Sequence, residues 1–226
     1  MIAYLSEKAD NRIINSLKEM GFELKLLSPF SALANPVSTH ADMLLCAVED
    51  TIFHHKDYNC ETIGFNQIFK IEEPISEKYP NDVLLNIAVV GKHVFANSKY
   101  ASKTIVEFLK EKGYLVHHVQ QGYAHCSTCI VNENAIITAD KGIAITAQNN
   151  GVDALLISEG HISLPPYNHG FIGGACGTTS NALYFCGSLN YHPDGDKIRA
   201  FITNHGKDII ELSDSPLIDI GGILFI

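Results

Sequence analysis

A short phrase recurs five times along the 226 residues: a polar residue, an apolar run, a tight polar turn and a second apolar run. The copies begin Asp42-MLLCAV-ED-TIFHH, Asp82-VLLNIAVV-GK-HVFAN, His125-CSTCIV-NEN-AIIT, Phe171-IGGACG-TTSN-ALYFC and Asp219-IGGILFI. Their starts lie 40, 43, 46 and 48 residues apart, a period that predicts a stacked or circular repeat. The fifth copy lacks a return strand, which Ile2 to Leu5 can supply, so the ring is expected to close between residues near 2 and near 225. The polar residues that open the copies, among them Asp42, Asp82, His125 and Asp219, would then meet on one axis.

Four of the intervals between hairpins carry a helical pattern, a glycine and a β-rich run: NRIINSLKEM-Gly21, KTIVEFLKEK-Gly113, AITAQNN-Gly151 and KIRAFITNH-Gly206. Ile13, Ile14 and Leu17, or Ile105, Phe108 and Leu109, fall at helical spacing. Glycine past the last turn accepts the left-handed conformation that ends a helix. Asp10, Ser102 and Asp194 stand where N-caps belong. The stretch 57–81, with Pro74, Pro80 and the charges of EEPISEK, reads as a loop-rich, degenerate module. Leu44, Leu84, Leu85, Ile130 and Leu224 are expected in the core, and Lys8, Lys18, Lys110 and Lys112 in solvent.

With 46% apolar and 18% charged residues, the chain has material for a core and is not a disordered polymer. All 226 residues are read as one domain. No apolar run reaches the roughly 20 residues of a membrane span, and the opening MIAYLSEKADN lacks a signal-peptide core, so a cytoplasmic location is expected. A net charge of −9 excludes the clustered basic surface that nucleic acid requires. Six cysteines without a secretory signal are expected as free thiols.

Chemistry-bearing residues concentrate in Thr39-His40-Ala41-Asp42 and in Gly122-Tyr123-Ala124-His125-Cys126-Ser127-Thr128-Cys129. A thiol next to one His and two modules from a His-x-Asp supplies a nucleophile, a proton carrier and an orienting carboxylate. Taken singly, either segment also reads as solvated residues at a strand start. If Cys126 to Cys129 is a strand, Cys126 and Thr128 face one side and Ser127 and Cys129 the other.

His40-Ala-Asp42-MLLCAVEDTIF resembles the His-x-Asp hairpin of the penteins, the guanidine-modifying superfamily of five-bladed α/β propellers. His125-Cys126-Ser-Thr128 is similar to the His-Cys-x-Thr segment of its agmatine deiminase branch. The resemblance implies a five-module α/β propeller with pseudo-fivefold symmetry over the whole chain. It implies a cysteine-dependent hydrolase or transferase acting on a small C–N substrate, with Cys126 as nucleophile, His40 as acid and base, and Asp42 pairing with substrate nitrogens. Such chemistry needs neither metal nor cofactor. Two modules follow the nucleophile here, whereas in the family it lies in the last, so the order is that of a circular permutation. The family's further carboxylates have no counterpart in Gly173-Gly174-Ala175-Cys176, and Ile223 stands where the pattern has Asp. A substrate smaller or less charged than arginine or agmatine is therefore expected.

Other readings stand beside this one. The propeller could be a non-catalytic binder of a protein partner. Cys126-x-x-Cys129 is half of a zinc site with no second half in the sequence. Cys46 and Cys129 read as core residues. Asn190 and His192, before Pro193-Asp194, either cap a helix or rim the axial pocket as substrate contacts. Gly173-Gly174 and Gly221-Gly222 are expected where backbones crowd.

Overall fold

The computed structural model describes residues 1–226. β1 (Ile2–Ser6) leads through α1 (Asn11–Glu19) to β2 (Glu23–Leu27), and the short α2 (Ala41–Leu44) opens onto β3 (Leu45–Val48), β4 (Thr51–His55) and β5 (Gln67–Ile71). The third unit holds β6 (Ala88–Val90), β7 (His93–Ala96), α3 (Lys103–Glu111) and β8 (Leu115–His118). The fourth holds β9 (Thr128–Asn132), β10 (Ala135–Thr138), α4 (Lys141–Asn149) and β11 (Asp153–Leu156). The fifth holds β12 (Cys176–Thr178), β13 (Ala182–Phe185), α5 (Gly195–Asn204) and β14 (Asp208–Glu211), and β15 (Leu224–Phe225) ends the chain's structure.

These strands make five separate three-stranded sheets of one design, an antiparallel hairpin with a third strand added in parallel. The first sheet takes its inner strand from the far end of the chain: Ala3 pairs with Phe225 and Tyr4 with Leu224. The ring therefore closes where the repeat predicts, and no inner strand is left with a free edge at the seam.

Five hydrophobic clusters hold the ring, one at each junction between neighbouring modules. Ile13, Ile14 and Leu17 of α1 and Ile105, Val106 and Leu109 of α3 are buried, as their spacing requires. Asp10 accepts from Arg12 N–H and Ser102 from Ile105 N–H, so both cap their helices. Asp194 occupies the cap position of α5 but makes no cap bond; its carboxylate instead takes Ser158 N–H and Lys197. Gly21, Gly113, Gly151 and Gly206 all have φ between 72° and 84°.

Three expectations need correction. The stretch 57–81 contains β5, so the second module lacks only its helix, and Phe108 of α3 reaches Phe53 and Phe69 of that module at 5.1 and 5.4 Å. The first residues of each repeated phrase form tight turns before the strand: Cys126 and Ser127 precede β9, so strand alternation does not govern them. Ile130 and Leu224 are half-buried because they line a cavity on the axis, whereas Leu44, Leu84 and Leu85 are buried and the four lysines exposed as expected.

Candidate active site

The turns that open the five inner strands are locked to one another around the axis. Gly174 N–H donates to Cys126 C=O at 3.2 Å, Ile220 and Gly222 N–H donate to Gly174 C=O at 2.9 and 2.8 Å, and Asp42 N–H donates to Gly221 C=O at 3.0 Å. In the third module a side chain completes the circle. Asn86 Nδ2 donates to Asp42 C=O at 3.0 Å, and its Oδ1 accepts Cys126 N–H at 3.1 Å and His125 N–H at 2.7 Å. Such close approach requires glycine. A Cβ on Gly173 would lie 2.3 Å from His125 C=O, and one on Gly174 would lie 2.0 Å from Asp219 Oδ1.

This ring holds the predicted side chains. Cys126 is 4% exposed, and its Sγ receives Asn86 Nδ2 at 2.9 Å. Asp42 is buried with neither carboxyl oxygen hydrogen-bonded; the Cys126 thiol beside it is the one neighbouring side chain that favours its ionised form. His40, at the start of α2, stands with Nδ1 3.7 Å from Asp219 Oδ1. Asp219 is fixed by the N–H groups of Phe171 and Gly221, both at 2.9 Å. The structure thus brings Cys126, Asp42, Asp219 and His40 into one cluster.

Burial sets the charge state of the cluster. Loss of water raises the Asp42 carboxyl to about 8, helped by the nearby Asp219, which burial raises to about 6. As a coupled pair they retain a proton at neutral pH. Burial and then the Asp42 and Asp219 charges push the Cys126 thiol well above its ordinary value. Burial, with a small contribution from Lys8, lowers His40 to about 4, and burial alone lowers His125 to about 4. At neutral pH the cluster therefore holds neutral imidazoles, a thiol and at most one carboxylate.

These shifts have a sign in stability. Asp42 and Asp219 are raised on folding, so their favourable contribution is complete below the unfolded value of 3.8 and is lost as pH climbs through about 6 and about 8. His40, His54, His117, His125 and His192 are depressed by loss of water and act oppositely, costing stability only below 6.5. Between pH 6.5 and 8 the histidine contributions are complete while that of Asp42 is still being lost. Urea midpoints should fall across that window by on the order of 2 kcal/mol of stability, and Asp42→Asn should abolish the fall. An Asp42→Asn protein with the same slope would exclude a raised Asp42.

The remaining predicted residues divide. Asp82 is buried; its Oδ2 accepts Tyr123 O–H at 2.6 Å while Oδ1 has no partner, and burial raises its carboxyl despite that bond. His125, whose Nδ1 is buried without a partner, lines an axial cavity of about 380 Å³ together with Asp42. Cys126 and His40 do not line it. Asn190 and His192 are not brought to the axis: Asn190 bonds Arg199 at 3.0 Å, and His192 packs against His161 at the entry to α5, outside the ring. Asn86 was missed, although a lone Asn inside the apolar run Val83-Leu-Leu-Asn-Ile-Ala-Val-Val marks a position that cannot be an ordinary core strand residue. No three His, Cys, Asp or Glu side chains group as a metal site would require.

A model described as "Family of unknown function (DUF6873)" matches residues 4–224. The chain belongs to that family. No curated protein matches it. Among solved structures, the chain is similar to DDAH from Pseudomonas aeruginosa bound to citrulline, at 12% identity and TM-score 0.58 over 95% of this chain and 91% of that one. C. jejuni agmatine deiminase shares 12% identity at TM-score 0.54 over 94% and 87% of the chains. SxtG, an amidinotransferase from Microseira wollei, shares 9% at 0.55 over 97% and 93%. At such identities the likeness establishes the fold, and the fold is the pentein-like α/β propeller.

Proposed function

We propose that the chain is a cysteine-dependent hydrolase or transferase that breaks a C–N bond in a small amidine- or guanidine-like cation. The observation that carries this is the Cys126 thiol beside the unpartnered Asp42 carboxyl, with no cationic side chain bonded to either. A thiol held protonated by burial and two acidic neighbours is a poor nucleophile at rest. An incoming amidinium supplies the absent positive charge: it stabilises the Asp42 carboxylate by paired N–H···O bonds and the Cys126 thiolate by proximity. The thiolate then adds to the amidinium carbon. His40, oriented by Asp219 and neutral at rest, takes the Cys126 proton as the thiolate forms, passes it to the departing amine, and later takes one from the water or acceptor amine whose attack releases Cys126. The names of the structural neighbours, a deiminase and an amidinotransferase, support this kind of reaction. Six free cysteines support a reducing, cytoplasmic setting.

The competing reading is a propeller that binds without reacting, favoured by the 4% exposure of Cys126. Chloroacetamidine and chloroacetamide separate the two, because they share an electrophile and differ in charge. The cationic reagent should alkylate Cys126 at neutral pH about a hundredfold faster, and Asp42→Asn should erase the difference. Equal rates, or modification elsewhere, would favour the binding protein. With an amidine or guanidine substrate, Cys126→Ser should abolish turnover with the fold intact, and His40→Ala should slow it about a hundredfold or more.

A further inference from the structure

Asn86 sits in the tight turn that leads into β6, where its own N–H donates to Val83 C=O at 3.0 Å, and it is 1% exposed. Its side-chain amide can face only one way. Oδ1 accepts two backbone donors, His125 N–H at 2.7 Å and Cys126 N–H at 3.1 Å. Nδ2 is therefore the end that meets the Asp42 carbonyl and the Cys126 sulfur, because a flipped amide would set donor against donor and C=O against C=O. Nδ2 carries two hydrogens and has three acceptors within reach: Cys126 Sγ at 2.9 Å, Asp42 C=O at 3.0 Å and Met43 Sδ at 3.3 Å. The thioether is a weak acceptor and the longest contact of the three, which leaves one hydrogen for the carbonyl and one for the Cys126 sulfur.

The other surroundings of that sulfur oppose its ionisation. Burial, then the Asp42 and Asp219 carboxyls, hold the proton on, and Asn86 is the one neighbour that acts the other way. A hydrogen bond to an ionised acceptor is about twice as strong as one to a neutral acceptor, so the Nδ2–H···S bond strengthens as the thiol loses its proton. An interaction that grows along the reaction lowers a barrier, whereas one of constant strength only holds a fold.

We propose that Asn86 is a catalytic residue of this site: it stabilises the Cys126 thiolate as it forms and holds the sulfur against the Asp42 turn. The use of that thiolate in turnover rests on the proposed function; the bond and its effect on the sulfur do not. The readout is the rate at which neutral chloroacetamide alkylates Cys126 at a fixed pH below the thiol's ionisation, followed by peptide mass spectrometry. Asn86→Leu removes every bond of the amide, and Asn86→Asp keeps an acceptor for the two turn amides while losing the N–H donor. Both should slow labelling by about tenfold or more, since each unit on the thiol pKa changes the thiolate fraction tenfold. Cys60, in the loop before β5, should label at an unchanged rate in the same samples.

A residue that merely braced the turn would give the opposite sign, because its loss would loosen the ring and uncover a sulfur that is 4% exposed. Unchanged or faster labelling in either folded variant would overturn the inference. Should neither variant fold, the native protein decides: the side-chain amide resonances of Asn86 should move when Cys126 is alkylated, and resonances that stay in place would overturn it equally. The two proposals fail separately. Faster labelling by chloroacetamidine than by chloroacetamide, without slowing in the Asn86 variants, removes Asn86 and keeps the amidine chemistry; slowing without charge dependence does the reverse.

Discussion

A protein lacking residues 220–226 should show no cooperative unfolding transition. Those residues supply the inner strand of the first sheet, and five of them are large apolar side chains with defined neighbours. Ile220 and Ile223 are 4% and 6% exposed and belong to the cluster that joins the first and fifth modules. Phe225 packs on Phe22 at 5.0 Å and Tyr184 at 4.8 Å. Ile226 exchanges both backbone hydrogen bonds with Ile2, at 2.8 and 2.9 Å. At about 1.5–3 kcal/mol for each large apolar side chain, the loss is comparable to the whole stability of a typical domain, about 5–15 kcal/mol. The deletion also exposes the edge of β1. Circular dichroism during urea titration is the measurement; a truncated chain that still unfolds cooperatively would mean the ring is not the folding unit.

Gly221→Ala should lower the melting temperature by about 10 °C, corresponding to about 3–5 kcal/mol in a chain of this size. Two costs combine. Gly221 has φ +80°, where any Cβ is disfavoured, and the added atom would lie 2.2 Å from His40 Cβ and 2.3 Å from its Cα. His40 cannot retreat, because its own backbone is what the methyl meets. Gly113→Ala separates the terms, since Gly113 has nearly the same φ, +79°, and nothing within 4 Å. That control should cost only about 1 kcal/mol. Equal losses in the two variants would show that the turn around the axis has room to relax. An altered His40 should also appear in activity, which the Gly113 variant should retain.

α1 and α3 were legible because Ile13, Ile14, Leu17, Ile105 and Leu109 repeat at 3.6 residues, with Asp10 and Ser102 as caps and glycines at the stops. These are interactions within one turn of chain, so sequence order states them directly. The paired apolar runs marked the hairpins for the same reason. The third strand of the second module was missed because Gln67–Ile71 lies behind a loop instead of a helix, and four of its five residues are exposed.

The site divides along a similar line. Residue types and their period were enough to place His40, Asp42 and the Cys126 turn in equivalent positions of different modules, hence near one axis. Asn86 and the positions of Asn190 and His192 could not be read so. Asn86 acts by bridging residues 40 and 44 positions away, and nothing local rewards it. Asp219 illustrates the same limit: it stands two residues before Gly221-Gly222 and not after them at Ile223, and it comes within 3.7 Å of His40 because Gly221 lets the fifth turn pass over the second. The sequence by itself determined the module, its count and the closure of the ring, since these depend on periodic burial and short-range caps. Only the tertiary structure decided which polar groups are left without partners on the axis and what protonation state they hold. Both depend on desolvation by residues from all five modules, a quantity no single segment carries.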